Sequence, residues 1–267
     1  MFDSNVIPES SGIQFVEVAG GSLEYLDLPA RTPDRPEILL LHEGLGSVSM
    51  WRDFPARLAK ATGSRTVAYS RHGFGRSAPR RSPYGRRFVH EEAFEVIPEL
   101  RERLGVRNPV LIGHSTGASM ALVHAAAGRW PVAGVVAMAP LTTVEGSNVE
   151  SIVRARTLYE TTAWRDRLAR HHDDVDGVFY GWNDTWLRPD FRDWSILEDL
   201  RRVRSPVLAI LGSDDEYSTP AQVAAIGQNV PDPARFESIV LSNCGHAPHR
   251  DQPEAVLAAV SRFLGAV

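Results

Sequence analysis

The sequence predicts an α/β fold, a mostly parallel sheet of about eight strands with helices on both faces. Two observations carry this. Short apolar runs alternate with longer segments of helical pattern along nearly the whole 267 residues, and each parallel crossover needs a long connection that usually holds a helix. One gap, between Pro140 and Pro206, is too long for a single crossover and predicts an insertion.

Taken in order, the strand-like runs Ile13 to Val18 and Leu23 to Leu28 come first, and a Pro-rich link from Pro29 to Pro36 joins them to the alternating region. Strands are then expected at Glu37 to Leu41, Arg65 to Tyr69, Pro109 to Ile112, Val132 to Met138, Val207 to Leu211 and Ile239 to Leu241. Helices fill the gaps, and an alanine-rich helix from Pro253 to Leu264 closes the chain. The formal charge of -4 gives no reason to expect a polyanionic partner. A lone cysteine, Cys244, excludes an intrachain disulfide, and Met1-Phe2-Asp3-Ser4 lacks the basic region and apolar run of a signal peptide. No segment approaches the ~20 apolar residues of a membrane span. The expected location is the cytoplasm, and the expected partner is a small-molecule substrate, with no nucleic acid and no membrane; a homodimer is left open.

The most informative stretch is Gly113-His114-Ser115-Thr116-Gly117, which stands between the apolar run Pro109 to Ile112 and the helix-forming run Ala118 to Val123. A G-x-S-x-G between strand and helix is a nucleophile elbow: the glycines permit a sharp turn that lifts the Ser115 hydroxyl out of the sheet and aims the Thr116 N–H at a reacting carbonyl. An orienting acid and a histidine must follow in that order. The buried-strand run Pro206 to Leu211 ends in Gly212-Ser213-Asp214-Asp215, and the next strand is followed by Asn243-Cys244-Gly245-His246. His246 is the base. Asp214 and Asp215 compete for the acid role.

These segments together resemble the α/β-hydrolase fold, in the serine-nucleophile group of esterases, thioesterases, lactonases and meta-cleavage product hydrolases. The likeness covers nearly all of the chain. It includes Ile38 to Ser47, similar to the family's His-Gly loop, and Tyr69-Ser70-Arg71-His72-Gly73-Phe74-Gly75-Arg76-Ser77, similar to its Gly-x-Gly-x-Ser turn. Two departures stand out: Glu43 where the family usually has glycine, and Ser70 near where it has aspartate. The resemblance implies a core of residues 1–140 and 198–267 with a helical cap at 141–197, and its spacing after Gly212 favours Asp215 as the acid. It implies a second oxyanion donor after His42, the N–H of Gly44 or, if Glu43 is an insertion, of Leu45. A carboxylate aimed at that hole would repel the oxyanion, so Glu43 is expected to turn away, to Arg71 or His72, or to bind a polar group of the substrate.

The expected chemistry is acyl transfer to water on a small or medium, hydrophobic carboxylic ester, lactone or thioester, by Ser115, His246 and Asp215, with no metal or cofactor. His42, Glu43, Arg71, His114, Trp182 and Trp186 are candidate substrate-binding residues. The last two belong to a tryptophan-rich cap that serves either as an apolar lid or simply as packing. Two other readings stay open. A C–C bond hydrolase would use the same triad, with Arg71 or polar cap groups holding a carboxylate; a non-catalytic binding protein would keep the scaffold. Haloalkane dehalogenases and epoxide hydrolases carry aspartate where Ser115 stands. The run His171-His172-Asp173-Asp174 has metal-ligand residue types without helical ligand spacing, and reads as a polar cap loop. Cys244 reads as packing.

Overall fold

The computed structural model describes residues 12–267; Met1 to Ser4, read above as lacking a leader, lie outside the described residues. The strands are β1 (Ile13–Val18), β2 (Gly21–Leu28), β3 (Ile38–Leu41), β4 (Thr66–Tyr69), β5 (Val110–His114), β6 (Gly134–Met138), β7 (Val207–Gly212) and β8 (Phe236–Leu241). They form an eight-stranded sheet in the order β1-β2-β4-β3-β5-β6-β7-β8. The β1–β2 and β2–β4 pairings are antiparallel and the others parallel.

The inner strands are apolar throughout because both faces of the sheet are covered. Leu39, Leu41, Val67, Tyr69, Leu111 and Ala137 point to one face, and Ile38, Leu40, Ala68, Ile112, Val136 and Met138 to the other. That alternation is the two-residue period of a strand. Helices α1 (Phe54–Thr62), α2 (Phe88–Glu91), α3 (Ile97–Leu104) and α4 (Thr116–Ala126) follow β3, β4 and β5. Between β6 and β7 come α5 (Gly146–Thr161), α6 (Trp164–Leu168), α7 (Val175–Leu187) and α8 (Leu197–Leu200); α9 (Pro220–Asn229), α10 (Pro248–Asp251) and α11 (Pro253–Leu264) complete the chain. Phe54 and Leu58 of α1 meet Val256, Val260 and Phe263 of α11 on one face, and the wholly buried α4 fills the other.

The chain between β6 and β7 starts and ends together, because Thr143 and Ser195 form an antiparallel bridge. Inside it, Tyr159 stacks on Phe179 with centroids 3.7 Å apart, and Trp186 packs edge-on against Phe191 and Trp194. Glu145 and Asn148 make reciprocal caps at the start of α5. No helix among the described residues is long and apolar enough to cross a membrane.

Candidate active site

Ser115 occupies the turn between β5 and α4 with φ 53° and ψ -119°, a conformation costly for a residue with a Cβ. Its N–H donates to the Met138 carbonyl at 2.8 Å, which pins the turn to the neighbouring strand. The flanking glycines act differently from the sequence expectation. Neither takes a positive φ. They are needed for close approach, since a Cβ on Gly113 would strike the Gly117 carbonyl and one on Gly117 the Leu41 carbonyl.

The loops after β7 and β8 bring Asp215 and His246 together. Asp215 Oδ1 accepts from His246 Nδ1 at 2.8 Å and from the Tyr217 and Ser218 N–H groups, also at 2.8 Å. The carboxylate is 1% exposed and the imidazole 17%. Asp214, by contrast, accepts from the Ser213 hydroxyl at the surface. The His246 loop is held above the elbow by His114, whose Nε2–H donates to the His246 carbonyl at 2.6 Å. Among the described residues the Ser115 hydroxyl forms no hydrogen bond to His246; contacts of this kind commonly tighten once substrate is bound.

The loop after β3 is gripped from three sides. Arg71 donates to the carbonyls of His42 at 2.6 Å and Glu43 at 2.9 Å, and its own N–H donates to His42 Nε2 at 3.1 Å. His42 Nδ1 donates to the Glu43 carbonyl at 2.8 Å. Both His42 nitrogens are therefore taken, and burial with the nearby Arg71 charge holds its pKa well below the usual histidine range. Both His42 ring nitrogens are thus bonded within the loop region, and His114 is buried with its Nε2 bonded to the His246 carbonyl.

Glu43 departs from expectation. Its carboxylate reaches neither Arg71 nor His72; it folds back so that Oε2 accepts the Leu45 N–H at 2.5 Å, while His72 bonds the Val18 carbonyl. Burial raises the Glu43 pKa, opposed by that N–H and by the nearby His246 and Arg71. The Leu45 amide is thus already used, whereas the amides of Thr116 and Gly44 have no acceptor among the described residues. Trp182 lies directly on Gly44: a Cβ there would come within 2.5 Å of the indole.

Two positioning residues were not legible in the sequence. His172, in the polar run before α7, accepts from the Gly75 N–H at 2.9 Å and donates to the Leu45 carbonyl at 2.8 Å, tying this segment to both core loops. Burial lowers its pKa to about 4. Glu24 of β2 supplies the carboxylate that an aspartate at Ser70 would bring: the Ser70 hydroxyl donates to Glu24 Oε2 at 2.7 Å and accepts the Val48 N–H at 2.9 Å. Cys244 is 1% exposed, and burial with three nearby carboxylates raises its thiol pKa to about 11, against a nucleophilic role.

Residues 38–259 match the sequence profile of the Alpha/beta hydrolase family. The chain belongs to that family. Among its curated relatives, an sn-1-specific diacylglycerol lipase from Mus musculus is 23% identical over 257 residues, covering 86% of this chain and 81% of the lipase. A non-heme chloroperoxidase from Burkholderia pyrrocinia is 30% identical over 194 residues, 61% of this chain and 68% of the relative. The solved enol-lactonase from Burkholderia xenovorans LB400 superposes with a TM-score of 0.73 at 22% identity, over 94% of this chain and all (100%) of that one. As an α/β-hydrolase with esterase and lipase relatives, the protein is placed coarsely as a hydrolase.

Proposed function

We propose that this α/β-hydrolase is a serine hydrolase that cleaves a small or medium carboxylic ester, lactone or thioester through an acyl-enzyme. Ser115 Oγ attacks the carbonyl while His246 Nε2 takes its proton; the imidazolium then protonates the leaving group and later activates water. Asp215 fixes the Nδ1–H tautomer and balances the imidazolium charge. The Thr116 and Gly44 N–H groups receive the oxyanion. Residues 141–197 serve as the cap, with Trp182 over the oxyanion loop, and the enzyme works in the cytoplasm on a small molecule.

One observation carries this reading: the 2.8 Å Asp215–His246 pair, held above the strained Ser115 turn by the His114–His246 bond. The test is a panel of p-nitrophenyl esters of graded length, lactones, acyl thioesters and a dienoate ring-fission product, run with wild type and Ser115→Ala. Turnover of an ester, lactone or thioester that disappears in the folded variant supports the reading. Turnover of the dienoate alone moves the chemistry to C–C cleavage, and inactivity on every class would leave a ligand-binding protein.

A further inference from the structure

The Glu43–Gly44 peptide is held by its oxygen. Three donors converge on the Glu43 carbonyl: Arg71 Nη2 at 2.9 Å, His42 Nδ1 at 2.8 Å and the Gly46 N–H at 3.2 Å. The other arm of the Arg71 fork donates to the preceding carbonyl, that of His42, at 2.6 Å. The partners fix the His42 tautomer. The Arg71 N–H can only donate, so Nε2 accepts it at 3.1 Å, and the proton of the neutral ring sits on Nδ1, facing the Glu43 oxygen. Arg71 is buried with its guanidinium over the Phe74 ring, 4.6 Å from the centroid, and both terminal nitrogens are spent on these neutral carbonyls rather than on a carboxylate.

A trans peptide is planar, and its C=O and N–H point in opposite directions. Fixing the Glu43 oxygen on the Arg71 side therefore turns the Gly44 N–H to the other side, where it has no acceptor among the described residues. Gly44 and Thr116, the two proposed oxyanion donors, line one small cavity beside Arg71. A peptide next to glycine can flip at little steric cost. Such a flip would put the Glu43 oxygen where the N–H stood and turn a donor into a repelling carbonyl. The guanidinium also acts on the strength of the donor: a charged N–H on the oxygen end of a peptide polarises the unit and strengthens its own N–H.

We propose that Arg71 is the positioning residue of the oxyanion hole: by holding the Glu43 carbonyl it sets the direction and raises the strength of the Gly44 N–H. The proposal rests on the acyl-enzyme reading above. It takes Arg71 out of the set of substrate contacts, because the two nitrogens that would fork a substrate carboxylate are already occupied. The arginine makes and breaks no bond to substrate. Its effect falls on the oxyanion formed when Ser115 Oγ adds to the ester carbon, so it is felt in the transition state more than in the bound ester.

The test measures kcat and KM for p-nitrophenyl acetate, and Ki for 1,1,1-trifluorohexan-2-one, in wild type, Arg71→Met and Arg71→Lys. Addition of Ser115 Oγ to the ketone leaves a hemiketal oxyanion, a stable copy of the charge at issue. Arg71→Met should lower kcat about 10²-fold, the size of losing one oxyanion donor, and leave KM within about threefold; Ki should rise by about the factor by which kcat/KM falls. Arg71→Lys keeps the charge but has one ammonium for two carbonyls, so it should regain about tenfold of that loss. The lysine variant, about tenfold below wild type in kcat at steady KM, decides the matter if Arg71→Met does not fold. A folded variant with wild-type kcat and Ki overturns the proposal and leaves the hydrolase reading standing. A raised KM with kcat unchanged also overturns it, and would make Arg71 a substrate contact. Wild type that neither hydrolyses the ester nor binds the ketone overturns the acyl-enzyme reading and this proposal together.

Discussion

Arg71 and Arg101 are both buried cations, 2% and 4% exposed, and both hold loops by their carbonyls, yet they differ in what is left over. Every guanidinium nitrogen of Arg101 is engaged. It donates to the carbonyls of Val106, Arg107 and Pro131 and to His124 Nε2, whose Nδ1–H in turn donates to the Ala93 carbonyl. His124 stacks on Trp130 at 5.0 Å, and burial brings the Arg101 pKa down to about 10. The surface above this knot is an open groove larger than the cavity beside Arg71, but none of its lining side chains carries an unpartnered buried polar atom among the described residues. Arg71 makes two side-chain hydrogen bonds, and its Nε has no partner among the described residues.

The sharpest way to break the contrast is to remove Arg101. Arg101→Met leaves three carbonyls and His124 Nε2 without their donor, so it should cost about 3 kcal/mol or more of stability, seen as a lower Tm and denaturant midpoint. Substrate preference in whatever enzyme remains folded should match wild type. A stable Arg101→Met variant with altered preference would mean that the Arg101 groove binds substrate.

The second prediction concerns the acid. Because Asp215 Oδ1 is fixed by two backbone N–H donors besides His246 and Oδ2 has no partner, the asparagine side chain of Asp215→Asn could put its carbonyl oxygen where Oδ1 sits. The variant would then keep the histidine tautomer and lose only the charge. The expected fall in kcat is about 10²-fold, against the roughly 10⁴-fold seen where an amide imposes the wrong tautomer. Asp215→Ala should fall further than Asp215→Asn, and equal losses would show that the amide does not hold the ring.

The same difference explains what was legible in the sequence. The inner strands, the helix from Pro253 and the elbow could be read because burial on both faces, or a fixed spacing, leaves a local trace. In β8 only Ile239 to Leu241 could be read: the strand spans Phe236–Leu241, but the exposed polar pair Glu237 and Ser238 breaks the apolar run. Ser115, Asp215 and His246 each follow a strand end, so local reading could nominate them. The Arg71 cavity draws its walls from five separate segments, and no window of sequence contains it. Glu43 was expected to seek a cation across a loop, but an N–H two residues on was nearer. His172 read as a polar loop because its partners, Gly75 and Leu45, are far away in the chain.

The smallest effect should come from pH. His172 and His124 are held to about 4 and His249 to about 3 by burial, against 6.5 when unfolded. The unfolded chain therefore binds protons that the folded one refuses. Above pH 6.5 these groups should leave stability flat; below it stability should fall, by about 1 kcal/mol per histidine at pH 5.5, with the loss levelling near pH 3 to 4. His172→Gln should flatten that slope by about one proton in a denaturant titration against pH, and an unchanged slope would show that His172 protonates freely in the folded state.

The central claim is that Ser115 becomes acylated. The direct measurement is mass spectrometry of enzyme acid-quenched during turnover of p-nitrophenyl acetate, with the peptides mapped. One acetyl group on Ser115 is predicted, together with a loss of about 10⁴-fold or more in the turnover of folded Ser115→Ala. Acetylation of another residue during turnover, or a folded Ser115→Ala that still hydrolyses the ester at a comparable rate, would contradict it.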